Sequence, residues 1–494
     1  MEALRLGRPF SKPASSPRLS GSGRGAFTLT VRDCGGAARG RFIFIYAALS
    51  LVAALSMSDA AAQAPPKIDN PAAIPASVRP GAIEAQLKVE IAPGLALPPT
   101  VVSPYEPEQP AEAGEIEFIL TSVALDGAVS IPDAALQPLY AGKIGKTVRL
   151  SEIFDLARAI TRRYADDGYP LSLAYVPAQT IDGGAVRIRI IEGFIGDVAV
   201  KDAPRGVEGR LRALGEKIMA ERPLRQRTLE RYLLLANEIP GVKVTGVLER
   251  GASAETGVKM TLIAERKRAF VSANVNNRAS RAVGREQVVG KAALNGLVTG
   301  LDQIGFSAVQ SLKPDELTVF GGKYSTVLTT EGLTLNLAAS RSEAAPGVPF
   351  LRDLGFETQG WTAGAGIAYP LILSRDVKFG IAGGFAWKEF RSAFGVTPNT
   401  LDRLWTTDFD ASLSVRDRWG GANSFGVGLS RGWDIFEATE AGSPLASRAG
   451  AGGEFLAVSA EASRIQKIND WADISVAIKA QTANNPLLSA EQCG

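Results

Sequence analysis

The chain has 494 residues, with 54 Lys and Arg against 51 Asp and Glu, no histidine and two cysteines, Cys34 and Cys493. That composition removes imidazole acid–base chemistry, Ser-His-Asp triads and histidine metal sites, and leaves neither a zinc cage nor a disulfide framework. No enzyme activity, metal or cofactor is expected. The formal charge of +3 hides an asymmetry, because residues 1–41 hold eight basic and two acidic residues while 65–494 hold 46 basic against 48 acidic. The body of the chain therefore lacks the basic footprint of a nucleic-acid binder. Glycine, at 52 residues, exceeds the usual ~7% and favours a β architecture.

Arg39 and Arg41 precede an apolar run from Phe42 to Met57, and Ala62-Gln63-Ala64 fits a small-residue cleavage site. A positive flank, a short apolar core and a small-residue exit define an export signal over residues 1–64. The run of 16 residues is short for a spanning helix, which needs about 20. The stretch upstream of it reads as disordered. Residues 65–114 are rich in Pro and Ala, with one short helix expected over Pro80–Ile91 and an extended linker after it.

Residues 115–193 read as a compact β-α-α-β-β unit. Glu115–Leu125 alternates as a strand, and Pro132–Tyr140 suits a short helix. Ile153, Leu156, Ala157, Ile160 and Tyr164 then form one apolar helical stripe. Gly168 stops that helix and Pro170 prevents its resumption. Leu171, Leu173 and Tyr175 alternate on a strand. Asp182-Gly183 is a turn. Val186, Ile188 and Ile190 alternate with Arg187 and Arg189 on the last strand, where a solvated sheet face is the simplest role for the arginines. Residues 194–268 repeat the order, with helices through Leu211, Leu214 and Ile218 and through Leu229, Leu233 and Ala236, and strands at Val242–Leu248 and Val258–Ala264. Tandem units of this kind serve as a modular arm.

From Phe270 helical periodicity stops. Alternating segments of about 8–12 residues follow, separated by turn residues. Phe379, Ile381, Phe385 and Trp387 alternate with Lys378 and Lys388. Phe409, Leu413 and Val415 alternate with Asp408, Asp410 and Arg416. Ile474, Val476 and Ile478 alternate with Lys479. A soluble sandwich with one wet face alternates too. The export signal, the unbroken run of hairpins and six tryptophans (361, 387, 405, 419, 433 and 471), mostly near segment ends, favour a transmembrane β-barrel for residues 269–494. Lys378, Lys388, Asp408, Asp410, Arg416 and Lys479 are then the lumen candidates. Asp408 and Asp410 share one strand face, and lumen solvation outweighs a catalytic carboxylate pair there. Gly426 and Gly428 ease packing in a strand; they do not cradle a phosphate.

Tyr164, Gly168-Tyr169-Pro170, Val176-Pro177-Ala178-Gln179, Asp182-Gly183 and Glu192-Gly193 together resemble the first POTRA (polypeptide-transport-associated) module of the two-partner secretion transporters. These are the haemolysin secretion/activation proteins of Gram-negative outer membranes. Asn276-Asn277-Arg278 with Gly284, Gly300-Leu301-Asp302-Gln303, and Leu487 through Gln492 are similar to the family's barrel segments, the last lying just before its inward-folding loop. The resemblance implies α+β POTRA modules followed by an antiparallel transmembrane β-barrel of 16 strands, of which about 11 are counted here. It implies a plug helix near 80–91, POTRA modules at 115–193 and 194–268, and secretion of an unfolded exoprotein of haemolysin or adhesin type. The expected partners are that exoprotein, outer-membrane lipid and the barrel assembly machinery for insertion, with no nucleic acid. Client capture is expected by pairing of backbone with an exposed sheet edge, placed at Leu171–Val176, with Leu173 and Tyr175 either meeting client side chains or belonging to the module core, since one face of that strand must be buried. The family's Val-Arg-Gly-Tyr motif is not reached before Gly494 and no terminal aromatic assembly signal follows, so the expectation is a shortened chain unable to close a family-like barrel. The alternative functions are an outer-membrane protein assembly factor and a passive porin-like barrel; two modules and a proline-rich linker disfavour the first, and the modules themselves disfavour the second.

Overall fold

The computed structural model describes residues 27–30, 109–249 and 257–492. The export signal, the expected plug helix and most of the linker lie outside the described residues. β1 (Phe27–Thr30) belongs to the N-terminal stretch expected to lack structure, yet it runs parallel to the last strand of the large sheet.

In the first module, the strand expected over Glu115–Leu125 is two strands, β2 (Glu117–Ile119) and β3 (Ser122–Asp126). The break falls at Leu120, whose side chain is fully buried while its N–H and C=O bond Lys146 and Gly145. The chain thereby switches partners, from β4 (Thr147–Arg149) to the three-stranded sheet. The helix expected over Pro132–Tyr140 is α1 (Asp133–Leu136) followed by a short 3-10 turn. α2 (Leu150–Asp166) buries the expected stripe of Ile153, Leu156, Ala157, Ile160 and Tyr164. Its first turn is fixed by the Glu152 carboxylate, which accepts the Arg149 N–H at 3.3 Å. Gly168 ends it with a φ of 89°, a conformation that costs glycine nothing. β5 (Leu173–Tyr175) and β6 (Ala185–Ile191) complete the module, in the order β3-β6-β5.

The second module repeats this topology with β7 (Ile195–Lys201), α3 (Glu208–Met219), α4 (Gln226–Asn237), β8 (Val242–Glu249) and β9 (Val258–Arg266), in the order β7-β9-β8. In both modules the first strand is parallel to the last and the penultimate strand is antiparallel to it. The helices pack on one face of each sheet, so the cores are conventional: the large buried side chains are Leu, Ile, Val, Tyr and Met260.

Eleven consecutive antiparallel strands follow: β10 (Ala269–Asn276), β11 (Gln287–Asn295), β12 (Asp302–Ser311), β13 (Thr318–Val327), β14 (Thr334–Ala344), β15 (Phe356–Leu373), β16 (Val377–Phe394), β17 (Thr397–Arg416), β18 (Gly421–Trp433), β19 (Phe455–Lys467) and β20 (Asp473–Ala483). A short helix, α5 (Pro349–Asp353), lies in the β14–β15 connection. β15 to β17 run to 18–20 residues, longer than the alternating segments anticipated. Their extra length lies at the end away from the modules, where Phe356 packs on Phe394 with ring centroids 5.1 Å apart. Among the described residues no helix is long and apolar enough to cross a membrane.

Cross-strand register sorts the sheet into two faces. Trp387, Trp405 and Trp433 lie directly opposite one another on three adjacent strands, and toward the module end the same face carries Phe385, Phe409, Leu429 and Val427. From Trp405 to Val415 on this face is ten residues, about 33 Å of strand and about 25 Å once tilted, the height of an outer-membrane apolar band. Trp419 and Trp471 lie in turns at the module end, so tryptophans mark both borders. The opposite face carries Gly, Ala, Ser, Thr, Lys and Asp over the same strands.

Candidate translocation path

The signature residues of the first module hold it together and fasten it to the second. The Tyr164 hydroxyl donates to Glu192 at 3.0 Å, and Glu192 also accepts the Val129 and Ser130 N–H groups and the Ser130 hydroxyl at 2.6–2.9 Å. Burial by itself raises the Glu192 carboxyl, but these hydrogen bonds outweigh it and hold the group below the ordinary glutamate range. Burial and the Glu192 contact push the Tyr164 phenol up. Tyr169 meets Tyr164 edge-on at 6.0 Å. The Gln179 amide donates to the Arg187 C=O and accepts its N–H, both at 2.8 Å, so one side chain prolongs the ladder of β5 past its end. Pro177 is half-buried beside it and accepts a weaker bond from the same amide. Asp182 and Gly183 form the turn into β6, with φ of 62° at Gly183.

Gly168 and Gly193 serve the joint between modules. The Gly168 C=O accepts the Gln226 N–H at 2.8 Å, and the Gly193 C=O accepts the Leu224 N–H at 3.0 Å. A Cβ on Gly193 would fall 2.1 Å from the Leu171 oxygen, so the backbone at this joint leaves no room for a side chain.

The strand expected to meet the client lies at one edge of its sheet. β5 is an edge strand, but Leu171 precedes it and is buried in the core cluster of the second module. Ala174, between Leu173 and Tyr175, faces the core. Its N–H is donated to the Thr161 hydroxyl of α2 at 2.9 Å, and that hydroxyl returns a longer bond to the Ala174 C=O. The backbone groups at the middle of this three-residue edge are engaged within the module. Leu173 and Tyr175 stay half-buried. At the other edge of the same sheet, β3 pairs with β6 alone among the described residues, and Ser122, Ala124 and Asp126 are exposed. Arg187 and Arg189 are exposed, as a solvated face requires.

A dense seam joins the second module to the sheet. Arg210 of α3 donates to the Thr329 and Thr330 carbonyls in the β13–β14 turn at 2.5 and 3.4 Å. Arg231 of α4 donates to the Leu371 C=O at 3.1 Å and pairs with Glu331 at 3.4 Å, and the Tyr232 hydroxyl donates to the same carboxylate at 3.2 Å. Leu373, at the end of β15, is buried in the core of the module. Gly206 and Gly300 touch backbone to backbone: a Cβ on Gly206 would lie 2.9 Å from the Gly300 Cα, and both have φ above 80°. Asp302, fully buried, accepts the N–H groups of Val298, Thr299 and Gly300 and so shapes that turn as β12 begins. Nothing in the sequence flagged Arg210, Arg231 or Glu331. A basic residue on a helix and an acid in a turn are ordinary surface residues until a second body is placed against them.

All six lumen candidates lie on the polar face. Lys378, Asp408, Asp410, Arg416, Lys388 and Lys479 fall on inward rows fixed by strand register. They differ in what they touch. Lys378 reaches out to Glu238, which caps the C-terminus of α4, at 2.5 Å and ties the mouth to the module. Lys388 pairs with Glu491 at 2.7 Å, both largely buried. Asp408 accepts the Ser430 and Thr406 hydroxyls. Lys479 stands opposite Glu461. Toward the far end this face is no longer wet. Leu404, Phe455 and Ala457 are buried under Leu487, Leu488 and Ala451. Ser447 donates its N–H to the buried Asp402 at 2.9 Å, and the Ser489 N–H is donated to the Ser447 hydroxyl at 3.0 Å. The segment from Leu487 thus packs against the far end of the sheet's polar face.

Two paired modules fused to a sheet with one apolar and one polar face define an outer-membrane protein of the POTRA–barrel class. The family model for the ShlB-type POTRA domain matches residues 118–193, and that for the haemolysin secretion/activation protein ShlB/FhaC/HecB matches residues 247–494. The chain belongs to this family, whose barrel sits in the outer membrane with its POTRA modules in the periplasm. The heme/hemopexin transporter protein HuxB of Haemophilus influenzae strain 86-028NP is 23% identical over 200 residues, which is 40% of this chain and 35% of that protein. HuxB of H. influenzae strain Rd is 24% identical over 169 residues, 34% of this chain and 30% of that protein. The match thus spans about a third of the length of these relatives. CdiB from Escherichia coli shares the fold, with a TM-score of 0.57, 19% identity, and coverage of 78% of this chain and 72% of that one.

Proposed function

We propose that this protein captures an unfolded exoprotein in the periplasm through its POTRA modules and passes it outward through the sheet-lined lumen, as in type V two-partner secretion. The observation that carries this reading is the inverted polarity of the sheet together with two modules fixed at its mouth. A wet inner face lets a polar backbone pass without being stripped of hydrogen bonds. Of the lumen residues, Asp408, Asp410, Arg416 and Lys479 line the module-side half and would meet the client. Lys378 and Lys388 hold the mouth and the infolded segment. Capture by backbone pairing is assigned to β3, because the middle of β5 is already engaged; Leu173 and Tyr175 would add side-chain contacts only. In domain terms, residues 1–64 export the chain, 65–114 supply plug and linker, 115–193 and 194–268 are the two POTRA modules, and 269–494 belong to the barrel. Insertion would depend on the barrel assembly machinery.

The test is photo-crosslinking during secretion of the genetically linked exoprotein. A crosslinking residue at Ala124 or Lys479 should trap the client, and one at Val427 on the lipid face should not. Secretion that proceeds with no trapping at inward positions would overturn the path.

A further inference from the structure

A groove of about 580 Å³ follows the seam between α3 and α4 and the module-side end of β15, with Lys217, Arg227 and Arg231 on one wall and Leu371 and Ile372 on the other. Its charges do not balance. Arg225 has Glu221 at 3.8 Å, and Arg375 has Glu230 at 4.0 Å. Lys217 and Arg231 share one carboxylate, Glu331, 3.4 Å from each. Among the described residues no ion pair engages Arg227, which is exposed at the groove's edge. Glu221 also lines the groove, so five cations (Lys217, Arg225, Arg227, Arg231 and Arg375) meet three carboxylates (Glu221, Glu230 and Glu331), an excess of two positive charges.

The opposite wall belongs to the membrane surface. Ile372 stands opposite Phe379, on a row that continues through Leu413, Phe425, Ala462 and Ile478. This row lies near the module-side border of the apolar band. A bulge between Pro370 and Ile372 inserts Leu371, and such a bulge re-aims side chains. Both Leu371 and Ile372 are close to half exposed. Cations above an apolar rim at the membrane border match a lipid whose headgroup is negative and whose tails are buried.

We propose that this groove binds an anionic phospholipid of the periplasmic leaflet, its phosphate against Arg227, Lys217 and Arg231 and its acyl chains along Ile372 and Phe379. The proposal rests on the membrane placement of the sheet and not on translocation. It gives the second module a contact with the bilayer as well as with the sheet.

The test uses the full chain purified in a zwitterionic detergent, with phosphatidylglycerol binding followed by native mass spectrometry. Phosphatidylglycerol should be retained in preference to phosphatidylethanolamine. The pair K217Q/R227Q should weaken retention by roughly twentyfold, since each cation near an anionic lipid is worth about fivefold. Arg212→Gln, an exposed cation of α3 outside the groove that pairs with Glu208, should leave it unchanged. Equal retention by the double variant, equal binding of the two lipids, or displacement of phosphatidylglycerol by millimolar inorganic phosphate would overturn the proposal. A protein that stays monodisperse without detergent would instead defeat the membrane placement itself.

Discussion

The modules and the sheet use similar side chains in opposite ways. In the first module Ile188 is fully buried and its neighbours Arg187 and Arg189 are exposed. In the sheet Phe409 and Val427 are more than half exposed, while Thr406 and Asp402 are 0% and 1% exposed. The strands alternate equally well in both regions. What differs is the medium on each side: water outside a dry core for the modules, hydrocarbon outside a polar interior for the sheet. Alternation alone reports two faces and does not say which solvent each one meets.

Charged substitutions should separate the two regimes. The largest effect is expected for Ile188→Asp, which buries an unpaired carboxylate in the module core and should cost ~4 kcal/mol or more. It should abolish the protease resistance of the first module and leave the sheet's circular dichroism intact. Phe409→Arg on the outward face should cost about 2–4 kcal/mol, read as a lower urea midpoint in lipid, whereas Phe409→Leu should change it little. If Phe409→Arg is harmless, that face does not meet hydrocarbon.

Glu192→Gln should cost roughly 1.5–3 kcal/mol, because a charged acceptor of several hydrogen bonds is replaced by a neutral one. The same group gives the module a pH dependence. Its carboxyl is held below the ordinary range in the folded state, so its contribution is complete above the unfolded value of about 4.3 and is lost as pH falls through the folded value. Protection of the Val129 and Ser130 amides, taken relative to the intrinsic exchange rate at each pH, should fall between pH 5 and pH 3 in the wild type and respond less in the Gln variant. The smallest effect is expected at Arg187→Ala, within about 0.5 kcal/mol, by thermal melting.

The modules were readable because each helix announces its buried stripe and each strand its alternation within one short window. Ile153 to Tyr164 and Val186 to Ile190 carry that information locally. The interruption at Leu120 did not, because it depends on partners some 25 residues away at Gly145 and Lys146. In the sheet, alternation placed Lys378, Asp408, Asp410 and Lys479 on one face correctly, since period 2 fixes a face once any residue of the strand is placed. It gave no hint that Lys378 would turn toward Glu238, or that Leu487 and Leu488 would cover Leu404. Those contacts come from loops and helices folding onto the strands. The surroundings of the expected capture strand were hidden for the same reason. Leu171 and Leu173 look alike in sequence, but one is claimed by the neighbouring module.

The contact between Gly206 and Gly300 gives the periplasmic arm a fulcrum with no padding. With only hydrogens between the two chains, the pitch of the arm against the pore mouth is dictated by main-chain geometry. One methyl group at either position would act as a shim, prising open the leverage point on which Arg210 and Arg231 pull.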